Sequence, residues 1–257
     1  MAIHLRQICL VAGELAPAVG ALAEVLSIRP CHVDPEVGKF GLENTLLAVG
    51  TQFLEVVAPI RPGTAAQRFL DRRGGDGGYM VICQSTSLEE QARVKERAAR
   101  QGVRVAFESD RGSWNIMQLH PADMGASFFE LDWDQEADPT GNWHPAGGKD
   151  WRETVCADVV SAIVAVELQA ADPVALANRW AAVAGLPVEQ RNGVPTIALA
   201  NAELRFVEAR DGRGDGLGAL DLRVVDRARL SAQAEARGLR LADDQVVICG
   251  TRFNFVN

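Results

Sequence analysis

The sequence lacks paired cysteines. Its five cysteines are odd in number and widely spread, and they include no Cys-x-x-Cys pair. This spacing fits reduced thiols better than a disulfide framework and predicts a cytoplasmic protein. The first residues also lack the basic start and apolar run of a signal peptide, and no stretch approaches the ~20 apolar residues of a membrane-spanning helix. We therefore expect neither secretion nor membrane insertion.

An excess of positive charge is missing as well. The net charge is −8, which argues against nucleic acid or an anionic membrane as the partner. The glycine-rich runs at 74–78 and 212–218 lack the Gly-x-x-x-x-Gly-Lys-Ser/Thr pattern that cradles phosphates, so no nucleotide cofactor is expected.

The chain does contain a pattern that is repeated four times, with a period of roughly 50–70 residues. Each copy reads as a strand, a helix and further strands, and the first copy includes a hairpin over residues 41–59 with a tight turn at Gly50-Thr51. A length of 257 residues with 47% hydrophobic content suits one or two globular domains. Because a single copy leaves one sheet face bare, we expect the copies to pair in twos.

Three segments carry a resemblance to a known superfamily: GLENTLLAVGTQFLEVVAP, GGDGGYMVICQS and MQLHPADMGASFFELD. They resemble the vicinal oxygen chelate superfamily of glyoxalases, bleomycin-resistance proteins and ring-cleaving dioxygenases, and within it the glyoxalase-like branch. The resemblance implies an α+β fold of two domains, each with paired βαβββ modules whose mixed sheet forms a cup with helices outside. The implied boundaries are 1–133 (modules 1–71 and 77–133), a Gly/Pro-rich linker at 134–157, and 158–257 (modules 158–210 and 216–257).

Members of this superfamily use four inward positions of a cup to bind a metal ion. Three of these positions fall on Gln7, Glu55 and Glu130. The fourth, usually a histidine, falls on Tyr79 or Met80, because the strand register is open here. Two carboxylates and an amide suit Mg²⁺ or Mn²⁺, whereas the missing imidazole weakens Ni²⁺ or Zn²⁺ binding. The iron-binding triad of a ring-cleaving dioxygenase is missing from these positions.

The equivalent positions of the C-terminal half cannot bind a metal. They fall on Ala165, Phe206, Ala219 and Phe255, which are all apolar. We expect this half to provide packing or a homodimer surface.

The resemblance implies a lyase or isomerase that removes a proton next to a carbonyl group of a small oxygenated substrate. Glu55 and Glu130 are the candidate bases. His120 is either an acid–base residue at the mouth of the cup or a turn histidine bonded to local backbone. We assign four residues to substrate binding: Asn44, Tyr79, Trp114 and Phe128.

Two functional hypotheses therefore stand side by side. The first is a metal-dependent enzyme of the glyoxalase type, and the second is a non-catalytic, metal-free binding protein of the bleomycin-resistance type. Glu55 has its own alternative as a solvent-facing carboxylate at a strand edge, and Tyr79 and Trp114 can equally be core residues.

Overall fold

The computed structural model describes residues 2–256 as four successive modules, each with a strand, a helix and three further strands. In every module the first strand lies beside the last one, and the remaining strands extend the sheet from there. The pairing of first and last strands is parallel in the second, third and fourth modules. The α+β fold of repeated βαβββ modules is thereby confirmed. None of the helices within residues 2–256 is long and apolar enough to span a membrane.

The elements have the following bounds. The first module has β1 (Ile3–Val11), α1 (Leu15–Leu26), β2 (Pro30–His32), β3 (Leu42–Val49) and β4 (Gln52–Pro59), followed by α2 (Ala65–Arg73). The second has β5 (Gly77–Ser85), α3 (Leu88–Arg100), β6 (Val105–Asp110), β7 (Trp114–Leu119), α4 (Pro121–Met124) and β8 (Phe128–Asp134). The third has β9 (Val160–Ala170), α5 (Pro173–Ala184), β10 (Glu189–Arg191), β11 (Val194–Ala198) and β12 (Glu203–Glu208). The fourth has β13 (Gly216–Val224), α6 (Arg227–Ala236), β14 (Arg240–Ala242), β15 (Gln245–Ile248) and β16 (Thr251–Val256). Three short 3-10 helices lie at Pro35–Phe40, His144–Ala146 and Asp150–Thr154.

The chain forms two compact units, and each unit collects residues from distant parts of the sequence. Unit 1 comprises residues 2–7, 79–140 and 165–218, whereas unit 2 comprises residues 8–78, 141–164 and 219–256. The second and third modules thus lie mainly in unit 1, and the first and fourth lie mainly in unit 2. The sequence boundaries at 133 and 158 stay a prediction.

Aromatic packing fills the core of unit 1. Trp180 of α5 is 1% exposed and lies between Phe129 of β8 and Phe206 of β12, at ring-centroid distances of 5.3 and 6.2 Å. Its indole Nε1 donates to the carbonyl oxygen of Met124 at 3.1 Å. Phe206 is therefore a core side chain, which agrees with an apolar C-terminal half.

A single arginine links α3 to the C-terminal end of α5 in unit 1. Arg97 donates from Nε to the carbonyl of Val183 at 3.0 Å and from Nη2 to that of Ala184 at 2.9 Å. These carbonyls lie in the last turn of the helix, where the helix dipole favours a cation. Glu90 on α3 pairs with the same guanidinium at 2.8 Å and holds it in place.

Residues of the predicted linker pack inside unit 2. Trp143 and Trp151 are 1% and 2% exposed, and the Trp151 ring meets Phe53 of β4 edge to face at 5.1 Å. Gln52, next to Phe53, donates to the carbonyl of Ile163 and accepts from its amide, both at 2.8 Å. Residues 141–157 of the predicted linker are thus part of unit 2, and their two tryptophans lie in its core.

The turn between β3 and β4 requires glycine. Gly50 has φ +60°, and a Cβ there would collide with the backbone oxygen of Ser161. We expect Gly50→Ala to lower the free energy of unfolding by about 1–3 kcal/mol, because a positive φ strains the backbone of alanine and its Cβ would also collide with the Ser161 oxygen. Gly63→Ala is the matched control, since Gly63 also has a positive φ but no atom lies within 4 Å of the added Cβ. Equal urea midpoints for the two variants would contradict this expectation.

Candidate functional site

One face of β8 carries a row of buried carboxyl groups. Glu130, Asp132 and Asp134 are each 3% exposed. Side chains alternate between the two faces of a strand, so these three share one face while Phe129 and Leu131 point to the other. Phe129 packs on Trp180, so the carboxyl groups lie on the face turned away from that aromatic core. Buried carboxyl groups are costly unless the surroundings compensate for them.

The neighbouring strand β5 supplies an amide that joins this face to a buried arginine. Gln84 lies in register with Asp132, two residues after the pair of Ile82 and Glu130. Its Nε2 donates to Asp134 Oδ2 at 2.8 Å, and its Oε1 accepts from Arg6 Nη1 at 2.7 Å. Gln84 therefore shares the face of the three carboxyl groups, and Arg6 of β1 reaches the same face.

The pairing of β5 with β8 also fixes the register that the sequence left open. Met80 pairs with Phe128 and lies two residues before Ile82, which is the partner of Glu130. The side chains of Met80 and Ile82 therefore point to the same face of the sheet. Met80, not Tyr79, therefore has the strand position that faces the same way as Glu130. A thioether at this position does not replace the usual histidine as a ligand for a hard divalent ion.

Asp132 is a strongly perturbed carboxyl group of unit 1. Burial, followed by the nearby charge of Glu130, raises the pKa of Asp132 well above its usual range. The amide of Gln84 beside it is engaged by Arg6 and Asp134. The folded protein consequently holds a proton at Asp132 more tightly than the unfolded chain does.

This shift predicts a pH-dependent stability. The contribution of Asp132 is fully present below about pH 3.9, the ordinary pKa of Asp, and is lost as the pH rises through the higher folded-state pKa. We expect Asp132→Asn to reduce the decline of the urea midpoint over this range, because the amide does not titrate. Asp71→Asn, at an exposed aspartate of α2, should keep the wild-type slope. An unchanged slope in Asp132→Asn would refute the assignment.

The assignment of Gln7, Glu55 and Glu130 as metal ligands stays a prediction. Gln7 follows Arg6 on β1, so its side chain points away from the face that Arg6 reaches. Within residues 2–256, no three His, Cys, Asp or Glu side chains are grouped so that they could hold a metal ion. A buried guanidinium on the face of Glu130 also repels a second cation.

Glu55 is held by its own neighbours in unit 2. It is 7% exposed on β4, and Asn44 of β3 donates from Nδ2 to Glu55 Oε1 at 2.6 Å. The Oδ1 of Asn44 accepts from the backbone N–H of Asp34 at 2.9 Å, which fixes the amide orientation. Glu55 is therefore buried, and the interpretation of a solvent-facing carboxylate does not hold. Asn44, assigned to substrate binding from the sequence, is a bridge that positions Glu55.

Comparison with protein families gives the same superfamily as the sequence motifs. Residues 8–184 match the family model described as a glyoxalase-like domain. The chain belongs to this glyoxalase-like family. The resemblance to the vicinal oxygen chelate superfamily is thereby confirmed. No curated protein matches the chain.

Solved structures similar to this glyoxalase-like protein fall into two groups. A hypothetical protein from Staphylococcus aureus is 13% identical, with 100% of this chain and 99% of that chain covered and a TM-score of 0.63, which supports the fold along the whole chain. A methylmalonyl-CoA epimerase from Mycobacterium tuberculosis is 24% identical over 51% of this chain and 87% of its own, with a TM-score of 0.43. A Streptomyces coelicolor epimerase in complex with 2-nitronate-propionyl-CoA is 21% identical over 52% and 99%, with a TM-score of 0.44. Scores this low supply no argument about the activity of this chain.

The other residues assigned from the sequence have local partners in the glyoxalase-like protein. His120 is the N-cap of α4, and its Nδ1 accepts from the backbone N–H of Ala122 at 3.2 Å, as a turn histidine does. The rings of Tyr79 and Phe128 meet edge to face at 5.1 Å where their strands begin. Trp114 is half-buried, and the guanidinium of Arg111 lies 5.8 Å from its ring centroid.

Arg6, Gln84 and Asp132 were missed as functional candidates. The alternation in Phe129-Glu-Leu-Asp-Trp-Asp134 already places all three carboxyl groups on one side of a strand. That signal was sufficient to include Asp132. The sequence offers no corresponding signal for Arg6, because its contacts with Gln84 and with the Asp138 backbone span 78 and 132 residues.

Proposed function

We propose that this glyoxalase-like protein is a lyase or isomerase that acts on a small carbonyl substrate, with Glu130 as its base. The observation that supports this most is the placement of Glu130, buried on β8 at the position where the family resemblance expects an active-site carboxylate. The neighbouring Asp132 adds a second carboxyl group on the same strand face. Paired carboxyl groups in an environment shielded from water suit proton transfer.

The proposed reaction begins with the removal of one proton and requires no co-reactant. Glu130 accepts the proton from the carbon next to the carbonyl group, and the C–H electron pair moves into the carbonyl to form an enolate. Glu130 then delivers a proton, the original one or one exchanged with solvent, to that carbon or to the neighbouring one, and its carboxylate is restored. Epimerisation places the proton on the opposite face of the same carbon, whereas isomerisation of an α-hydroxy carbonyl compound also moves the hydroxyl proton to the former carbonyl oxygen.

A metal ion has no role in the proposed reaction. Arg6 already places a positive charge on the face of Glu130, and this charge disfavours a cation beside it. Residues of this chain, with Glu130 as the base, therefore carry out the proposed proton transfer.

A second candidate function is small-molecule binding without catalysis, in unit 2. One observation favours it: the indole N–H of Trp151 is buried beside Phe53 and has no hydrogen-bond partner. Such a donor has lost its water and is available to an acceptor on a ligand. An aromatic surface with one directed donor is typical of small-molecule sites.

Proton exchange in D₂O tests the first proposal directly. A panel of 2-oxo acids, α-hydroxyketones and acyl thioesters is incubated with protein before and after chelation, and the α-proton signal is followed by NMR. We expect at least one compound to lose this signal enzymatically, at the same rate after chelation. The absence of exchange across the panel, together with saturable quenching of tryptophan fluorescence by an apolar ligand, would favour the binding protein instead.

A further inference from the structure

A segment after β8 covers one face of β4 in unit 2. Side chains alternate along a strand, so Phe53 and Glu55 point to the same face. Ala48 of β3 lies directly opposite Phe53 in the antiparallel pair and shares this face. The ring of Trp151, in the 3-10 helix Asp150–Thr154, meets Phe53 edge to face at 5.1 Å, and the two residues are 2% and 0% exposed. This helix thus lies against the strand face that carries Glu55.

A second contact joins the segment to β2. Gly147 has φ +75°, and a Cβ there would lie 2.5 Å from Nδ1 of His32. The imidazole of His32 therefore packs directly on the backbone of the glycine. The 3-10 helix Asp150–Thr154 also lies beside β2 and β3. The segment is thus seated on the sheet by Trp151 at one end and by Gly147 in its middle.

Hydrogen bonds within the segment make it a compact body. The backbones of Trp143 and Gly148 exchange two hydrogen bonds, at 2.9 and 3.0 Å, which close the loop between them. Further along, Thr154 donates from Oγ1 to the carbonyl of Trp151 at 2.7 Å. Compact loops that are held together by their own contacts frequently have functional roles. Residues 142–154 form such a strap.

The closed strap leaves one polar group without compensation. Trp151 Nε1 is buried, and no hydrogen-bond acceptor within residues 2–256 reaches it. This N–H has lost its hydrogen bond to water without a replacement, which opposes closure, and displacement of the strap returns it to water. By contrast, the N–H of Trp180 in unit 1 has the Met124 carbonyl as its acceptor. The strap is therefore held less firmly than its buried aromatic ring alone would indicate.

We propose that the strap is a movable cover for the face of β4 that carries Glu55. In the closed state Trp151 packs on Phe53 and shields this face from water. In the open state the strap leaves the sheet as one body, and a small molecule can reach the face. Access to Glu55 then depends on the population of the open state. The inference goes beyond the proposed function, because it concerns unit 2 and does not involve Glu130.

Thiol labelling of the full chain tests this cover. Ala48→Cys places a thiol on the covered face, and Val49→Cys places one on the opposite face of the same strand, where both positions are 0% exposed. Each variant is treated with iodoacetamide at several urea concentrations below the unfolding transition. Mass spectrometry then measures labelling of the tryptic peptide of residues 40–68, which contains no native cysteine.

We expect the thiol of Ala48→Cys to be labelled at least about tenfold faster than that of Val49→Cys, because only the covered face is exposed by local opening. Its labelling rate should also change little with urea, since the opening of a short segment exposes little surface. Equal rates at the two positions overturn the inference. A rate at position 48 that rises with urea as steeply as global unfolding overturns it as well.

A second substitution tests the role of Trp151. In the Ala48→Cys background, Trp151→Ala should raise the labelling rate at least about tenfold, because the ring that holds the strap closed is gone. Glu153→Ala, at an exposed position of the same 3-10 helix, should leave the rate unchanged. Where circular dichroism finds the Trp151→Ala protein unfolded, Gly147→Ala replaces it and should raise the same rate by collision with His32. An unchanged rate in the folded variant overturns the cover.

The cover and the proposed enzyme fail separately. Labelling that shows no local opening at position 48 refutes the cover and leaves proton exchange by Glu130 standing. A panel in which no compound exchanges its α-proton refutes the lyase or isomerase and leaves the cover standing.

Discussion

Glu130→Gln should lower the rate of α-proton exchange by about 10²–10⁴-fold, the range typical for the loss of a general base. Glutamine has nearly the same shape as glutamate and preserves packing on β8, but its amide cannot accept the substrate proton. The melting temperature should therefore remain at or above the wild-type value, because the variant also removes a buried charge from beside Asp132. Loss of rate without loss of stability distinguishes a catalytic carboxylate from a structural one.

The control for this variant is Glu96→Gln. Glu96 is exposed on α3, so the same chemical change at this position should alter neither exchange nor melting. A Glu130→Gln protein that exchanges at the wild-type rate and melts higher would mean that Glu130 has no chemical role, and the site proposed in unit 1 would be wrong.

Trp180→Ala should cost about 3–5 kcal/mol of unfolding free energy, as large-to-small changes of buried aromatic residues do. Trp180 is buried between Phe129 and Phe206, so its removal leaves a cavity that rigid neighbouring rings cannot fill. The Met124 carbonyl loses its donor at the same time, which adds to the cost. Urea unfolding followed by circular dichroism measures the change.

Trp180→Phe divides this loss into two parts. Phenylalanine retains most of the ring packing but has no N–H for Met124, so we expect a cost of about 1–3 kcal/mol for the unsatisfied carbonyl and the smaller ring. Trp114→Ala, at a half-buried position of β7, should cost less than Trp180→Ala. Similar losses in the two alanine variants would argue against a core centred on Trp180.

The modules could be predicted because their signals are local. The two apolar arms around Gly50 predict the hairpin of β3 and β4, and the apolar residues Leu15, Val19, Leu22 and Leu26 at helical spacing predict α1. The burial of Glu130 was also accessible, because this carboxylate interrupts an apolar strand. Such patterns depend on residues within about ten positions of each other.

The face of unit 1 that carries Glu130, Asp132, Asp134 and Gln84 could be predicted only in part. Arg6 and Gln7 are adjacent, and a shift of one residue decides which of them faces Glu130. The family resemblance selected Gln7, whereas the hydrogen bond to Gln84 places Arg6 on that face. The distribution of modules between the two units was hidden for a related reason, since it depends on contacts between residues far apart in the sequence.

The composition of unit 2 has a consequence for synthesis of the chain. Residues 8–78 leave the ribosome early, but the residues 219–256 that complete their unit follow about 140 residues later, a delay on the order of ten seconds at ~5–20 residues per second. Contacts such as those of Glu24 with Arg237 and of Ser27 with Gln233 cannot form before then. During this interval the first module has exposed apolar surface, which makes it a natural client for chaperones and the part of the nascent chain most prone to aggregation.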